Sequence, residues 1–402
     1  MKRLVIGVLA AVIVVTGLAG PALAQKSVKI GVLTPLSPPG DAAAGQFIVR
    51  GAKMGAEDVN ARGGVLGGRK IELVIEDDAG TPEKGAAGIR KLATQDQAVA
   101  VVGQFHSSVM LAVQALAEQF KIPVFATQAS ARTITEKHLN YTFRTHVIDP
   151  DRVQLWNRWI MERGFKRVFL LAENTDYGTG LVEETKKYFQ SMGVKAELET
   201  DIFDRTAVDL TPQLLKIKNW KPDLVLNGAV GTPVYLIVKQ AYDVGLFPSV
   251  PMLVSYDVPV RPEFWKTVGE KGTYLSFIVY YHPTMKLPAR GEAFRKKYMA
   301  EFKEEPIYGA FNGYTQIALL ADALNAAKSD KGEDLVKALV ANKFEGWNGT
   351  IGFTRGDGPY WQQWTPPMLI TQYTKPEQPV PEVKIVFPAE FKTGDWVAAP
   401  KR

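Results

Sequence analysis

The chain has 402 residues, 46% of them hydrophobic and 22% charged, with a formal net charge of +6 and no cysteine. That length exceeds what a single core fills, about 250–300 residues, and argues for two lobes. The absence of cysteine excludes a disulfide framework, so apolar burial must hold the chain together. Lys and Arg are interleaved with Asp and Glu without a basic run, which excludes a nucleic-acid-binding surface.

The chain opens Met1-Lys2-Arg3, continues with an uncharged apolar run from Leu4 to Leu18, and reaches Ala22-Leu23-Ala24. A basic start, an apolar core and an Ala-x-Ala site predict a cleaved secretory leader over residues 1–24. The run is shorter than the ~20 residues that span a bilayer, and Gln25 in place of cysteine excludes a lipid-modified end. Losing Lys2 and Arg3 brings the charge from +6 to +4. No later segment is apolar enough to span, so a soluble, exported protein is expected.

Strand-like runs then alternate with amphipathic ones. Val28–Leu33 and Ile71–Glu76 read as strands, with a Gly/Pro/Ala loop and a helix over Phe47–Ala61 between them. Thr81-Pro82-Glu83 starts a helix to about Gln95, with Thr as the cap and an acid beside the positive end. Val99–Val102, a helix over Ser108–Phe120 and a strand over Pro123–Ala126 follow, then Tyr141–Pro150 as a strand and crossover. A second unit repeats the order. Its strands are Arg167–Ala172, Lys195–Thr200, Leu224–Asn227 and Met252–Ser255, and its helices Tyr177–Met192, Leu210–Asn219 and Thr232–Val244. After Tyr274–Tyr281, helices over Gly291–Phe302, Gly309–Ala327 and Lys331–Ala341 rejoin the first lobe. The end, from Trp347, holds two or three strands and a Pro-rich tail. Repeated strand–helix–strand order predicts α/β architecture, two doubly wound parallel-sheet lobes with right-handed crossovers. The expected division is 25–147 plus 283–350 for the first lobe and 148–282 plus 351–402 for the second, joined by hinge crossovers.

Two strand ends concentrate small polar residues. Val101-Val-Gly-Gln-Phe-His-Ser-Ser ends one strand and opens a helix at Ser107 and Ser108, and Val124-Phe-Ala-Thr-Gln-Ala-Ser ends the next. Neighbouring strand ends at the carboxyl edge of an open α/β sheet are where ligands bind. Hydroxyls and unpaired amides at a helix start favour an anion, so the pattern predicts a site for a small carboxylate. A capping role alone would make each serine worth about 1 kcal/mol to its helix.

The runs KIGVLTPLSPPG (29–40), GAKMGAEDVNARGGVLGGRKIELVIEDD (51–78), VVGQFHSS (101–108), PVFATQASA (123–131) and ENTDYGTG (173–180), in this order, resemble the branched-chain amino-acid (Leu/Ile/Val-binding) type of periplasmic binding protein. These are the solute receptors of ABC importers, with the type I fold. The resemblance covers nearly the whole chain after the leader. It implies that Ser107, with Ser108 beside it, holds a ligand carboxylate. It also implies that Gln128 or Ala129 offers a backbone carbonyl to a ligand ammonium, that Ser130 adds a hydroxyl, and that Tyr177 closes over the ligand. Phe105 and Phe311 match side-pocket positions. Two departures stand out: Ala44 replaces an aromatic wall, and a second-lobe tyrosine falls near Val230. The acid that pairs with the ammonium aligns at Tyr256-Asp257. Asp257 facing inward would suit an α-amino acid; Tyr256 facing inward would suit an aromatic or aliphatic acid without an amine.

Other chemistries are less well supported. His106, His138, His146 and His282 are the only histidines; none has short ligand spacing for a metal, and no Gly-x-Ser-x-Gly elbow accompanies His106. Asp77 and Asp78 read as loop and helix-start acceptors. Tyr280, Tyr281, Trp361 and Trp364 read as packing. The expectation is therefore a periplasmic receptor, without enzymatic activity, cofactor or metal. It is monomeric, captures a small carboxylate between its lobes and delivers it to an inner-membrane ABC permease. A ligand-sensing subunit that hands its closed state to a regulator or chemoreceptor is the alternative, and an exported hydrolase a third.

Overall fold

The computed structural model describes residues 26–400; the leader expected over residues 1–24 lies outside them. The first lobe begins with β1 (Val28–Thr34), α1 (Ala42–Ala61), β2 (Ile71–Asp77), α2 (Pro82–Thr94), β3 (Ala100–Gln104), α3 (Ser107–Phe120), β4 (Val124–Ala126), the single turn α4 (Thr133–Glu136) and β5 (Thr142–Arg144). Its five strands are parallel in the order β2-β1-β3-β4-β5. The second lobe runs from α5 (Asp149–Arg163) through β6 (Arg167–Glu173), α6 (Asp176–Ser191), β7 (Glu197–Phe203), α7 (Thr211–Trp220), β8 (Leu224–Gly228), α8 (Thr232–Asp243), β9 (Met252–Val254) and α9 (Phe264–Val268) to β10 (Ser276–Val279). The chain then returns to the first lobe for α10 (Ala289–Phe302), α11 (Tyr308–Ala327), α12 (Gly332–Ala341) and the hairpin β11 (Lys343–Glu345) and β12 (Thr350–Gly352). It finishes on the second lobe with β13 (Leu369–Gln372) and β14 (Lys384–Phe387), which add antiparallel to β10 in a seven-stranded sheet ordered β14-β13-β10-β9-β8-β6-β7.

Both sheets reverse winding direction next to their first strand. β1 lies between β2 and β3, and β6 between β7 and β8. The loops after β1 and β3, and after β6 and β8, therefore diverge and leave a crevice at each carboxyl edge. The inner strands are apolar on both faces, as parallel strands covered by helices must be: β3, β8 and β9 are buried throughout, whereas the edge strands β2 and β7 are partly exposed. α1 and α11 pack closely in the first lobe because glycines line the contact. A Cβ at Gly51 would collide with the carbonyl oxygen of Ala310, and one at Gly313 with that of Ile48.

The predicted elements match the observed ones apart from their ends, with four omissions, α4, α5, α9 and β11, and one boundary correction. The longest omission is α5, of which the sequence analysis assigns only Asp149 and Pro150, to the end of a crossover. Pro150 in its first turn, Asp149 and Asp151 at its start and Gly164 at φ 72° after its end are ordinary helix signals. The correction concerns residues after 350. Phe353 packs against Phe125 and Phe143 at 6.0 and 5.1 Å between ring centroids, and the Trp364 amide donates to the Arg144 carbonyl at 3.0 Å. The stretch Phe353–Trp364 therefore lies on the first lobe, and the last crossing falls between Trp364 and Leu369. Aromatic burial against β4 and β5 holds it there. Among the described residues no helix is long and apolar enough to cross a membrane.

Candidate functional site

The two carboxyl edges face each other, and between them lies a cavity of 270 Å³. Phe105, His106, Ser107, Ser108, Gln128 and Ser130 line it from the first lobe, and Glu173, Thr175, Tyr177, Val230 and Tyr256 from the second. It adjoins a wider cleft of 870 Å³ that shares His106, Glu173 and Val230 and is rimmed by Asp41 and Arg205. A larger open groove of 1030 Å³, at Lys29 and Lys121, occupies the opposite edge of the first sheet and holds none of the expected residues.

Ser107 and Ser108 open α3, whose capping position is His106, and the His106 side chain caps none of its amides. The first-turn N–H groups are thus available for an anion at the cavity wall. Ser107 Oγ accepts from the Ala131 amide at 3.1 Å, which leaves its proton to donate. Ser108 Oγ accepts from the Asp176 amide at 3.1 Å, a bond from one lobe to the other.

His106 serves the backbone and makes no catalytic pair. Its Nε2 accepts from the Asp41 amide at 3.2 Å, so the ring's proton sits on Nδ1. Burial, with the charge of Arg205 adding to it, pushes its pKa down to about 3; the ring is neutral. Asp41 caps α1 through Ala44 and takes both guanidinium nitrogens of Arg261 across the cleft at 2.9 and 2.7 Å.

The loop after β4 carries the two carbonyls expected to meet a ligand ammonium, and both are engaged. The Gln128 carbonyl accepts from the hydroxyl of Tyr256, and the Ala129 carbonyl from Arg144 Nη1 at 3.3 Å. Arg144 is fully buried, also holds the Ala131 carbonyl at 2.8 Å, and has its pKa lowered by burial to about 10. It remains charged at neutral pH. Because Tyr256 donates to Gln128, its oxygen accepts from His146 Nε2 at 3.0 Å. Burial, followed by the charges of Arg152 and Arg144, drives the His146 pKa far down, which agrees with a neutral ring protonated at Nε2.

Ser130 meets a charged side chain that the sequence reading missed. Arg152 of α5, fully buried, donates to Ser130 Oγ at 3.1 Å and to the Tyr280 hydroxyl at 2.9 Å, and pairs with Asp149. Its guanidinium lies 4.7 Å from the ring centre of Tyr256 and 5.4 Å from that of Tyr177. Tyr177 hydrogen-bonds Ser255 at 2.7 Å. Glu173, also missed, accepts from the Thr175 hydroxyl at 2.8 Å and the Val230 amide at 3.2 Å, and burial raises its pKa. Arg152, Asp41 and Arg261 gave no signal along the chain, because their burial comes from partners remote in sequence, and Glu173 stood in the run ENTDYGTG without a role.

Of the ten expected site residues, Phe105, Ser107, Ser108, Gln128, Ser130, Tyr177 and Tyr256 come together around the cavity. Three do not. Ala129 turns its carbonyl to Arg144. Phe311 packs in the first lobe's aromatic core against Tyr281, Trp347 and Phe294, with centroids 4.6, 4.9 and 5.0 Å apart. Asp257 lines a separate cavity. Ala44, the expected gap in the wall, is buried in α1. Asp77 accepts from the Leu36 and Ala79 amides at 2.7 and 2.8 Å, the loop role expected of it. Among the described residues no cluster of three or more His, Cys, Asp or Glu could hold a metal.

The model for the family described as periplasmic binding protein matches residues 27–375. An amino acid binding protein of Pseudomonas aeruginosa is 30% identical over 323 residues, covering 80% of this chain and 84% of that one. Two of the solved structures that share the fold were solved with a bound ligand. One is a branched-chain amino acid transporter substrate-binding protein from Streptococcus pneumoniae in complex with isoleucine, with TM-score 0.79, 24% identity, and 90% of this chain and 100% of that one covered. The other is a solute-binding protein of an ABC transporter from R. palustris in complex with benzoate, with TM-score 0.74, 22% identity, and 87% and 94% covered. A family match over nearly all the described residues, on two facing lobes with the serine-opened helix at their cleft, makes this chain a member of the periplasmic binding protein family.

Proposed function

We propose that the protein is the extracytoplasmic receptor of an ABC importer for a small carboxylate without an α-ammonium group. The ligand is held between the lobes and handed to a membrane permease. The observation that carries the ligand class is the engagement of the cavity's acceptors: the Gln128 carbonyl by Tyr256, the Ala129 carbonyl by Arg144, and the Glu173 carboxylate, its pKa raised by burial, by Thr175 and Val230. An ammonium needs an acceptor, and a buried one left without it is costly. Asp257, the aligned acid, is turned away from this cavity. The anionic end keeps its donors: the Ser107 hydroxyl, the uncapped first turn of α3, and the charge of Arg152 one bond behind Ser130. The R. palustris protein solved with benzoate shares the fold.

Calorimetric titration with benzoate, 4-methylpentanoate and L-leucine tests this reading. The last two differ only by the ammonium group. Benzoate or 4-methylpentanoate should bind at least tenfold more tightly than leucine. Leucine binding tighter than its des-amino counterpart would return the protein to the amino-acid receptors.

A further inference from the structure

Behind the rings of Tyr256 and Tyr280, whose centroids are 5.9 Å apart, lies a second cavity of 320 Å³ at the junction of the lobes. Asp257, Tyr280 and Tyr281 line it from the second lobe, Glu305 and Tyr308 from the first. Asp257 is 1% exposed, and neither carboxylate oxygen has a hydrogen-bond partner among the described residues. A buried carboxylate in that condition is costly, and a native structure that keeps one calls for an ion or a ligand group to explain it.

The neighbouring charges do not supply one. Glu305 is paired with Arg295 at 2.9 Å, so it adds no demand of its own. Arg261, whose charge reaches Asp257, is bound through both nitrogens to Asp41. That pair is neutral as a unit and leaves Asp257 uncompensated.

We propose that this hinge cavity is a cation site, and that it takes a small ammonium ion with Asp257 as counter-ion and the rings of Tyr280 and Tyr308 as walls. Those rings meet at 4.8 Å between centroids, and aromatic faces attract a cation most strongly when water is excluded. Val279, Ile307 and Val380 complete an apolar lining, which fits ammonium or methylammonium and not a divalent ion that keeps its waters. Because the walls come from both lobes, an occupant would join them at a point separate from the carboxylate cavity.

Thermal unfolding of the whole protein in ammonium or methylammonium chloride, against sodium chloride at equal ionic strength, reads the site directly. The wild type should show a saturable rise in Tm, about 2 °C or more at ten times the dissociation constant. Asp257→Asn, verified as folded by circular dichroism, should lose that rise. Equal responses in the two proteins, or no saturable difference between ammonium and sodium in the wild type, overturn the proposal. A second reading needs no variant: a high-resolution crystal structure grown with methylammonium. A methyl-bearing guest against Asp257 supports the site, and a lone water there overturns it.

Discussion

Ser107 accepts one hydrogen bond from the protein and has one left to give, the state in which a hydroxyl best serves a carboxylate. Its removal should weaken carboxylate binding tenfold or more, about 1.4 kcal/mol, while the fold loses the acceptor of the buried Ala131 amide, about 1–3 kcal/mol. Calorimetric titration of Ser107→Ala reads the first and a urea titration the second; unaltered affinity in the folded variant would remove the residue from the site. The serines were legible in the sequence because two small polar residues directly after an apolar strand have few other uses. Tyr256-Asp257 was legible only as a choice, since neighbours on a strand exit point to opposite sides and the sequence does not say which. The structure turns Tyr256 toward the serines and Asp257 toward the hinge. Arg144 and Arg152 were not legible at all. A charged residue reads as surface until the fold supplies what buries it, here the Ala131 carbonyl for one and Ser130 with Tyr280 for the other.

Among the elements, parallel strands were the easiest to find, because burial on both faces leaves continuous apolar runs. α5 was the hardest. Its sequence, Asp149 to Arg163, mixes two Trp with six charged residues, and its buried face includes Arg152 and Asn157, so no clean apolar stripe marks it. The contact of α1 with α11 shows the opposite case, in which close approach is written in small residues. Gly51 faces the Ala310 carbonyl with no room for a methyl group. Gly51→Ala should therefore lower stability by roughly 1–3 kcal/mol, despite the better helix propensity of alanine. A urea titration measures it, and a stabilised variant would show that the two helices part without cost.

For the molecule as a whole, the lobes are tied by polar bonds at the rim of the cleft: Asp41 to Arg261, Ser108 to Asp176 and Arg205 to the Pro39 carbonyl. The first is buried at both ends, with side chains 5% and 1% exposed. Removing one partner of such a pair leaves the other charged and desolvated, a penalty of roughly 3–5 kcal/mol. If this arrangement is the ligand-bound one, the penalty falls on the bound state, since separated lobes return Arg261 to water. Asp41→Asn should then weaken carboxylate binding by roughly 100- to 5,000-fold, chiefly through faster release, although Asp41 is not among the residues lining the serine cavity. Stopped-flow dissociation checks this; an unchanged release rate would mean that the pair does not hold the lobes together.

The path of the chain has its own consequence. The first lobe takes β1 to β5 from one end of the sequence and α10 to β12 from near the other, while β13 and β14 complete the second lobe from the tail. Neither half of the molecule is a continuous stretch, so no truncation at a single point yields an independently folding half. Ribosomal synthesis completes the first lobe only after most of the second has been made, and the second only at the tail, and a nick in any one of the three connecting segments leaves the fragments still threaded through a common architecture.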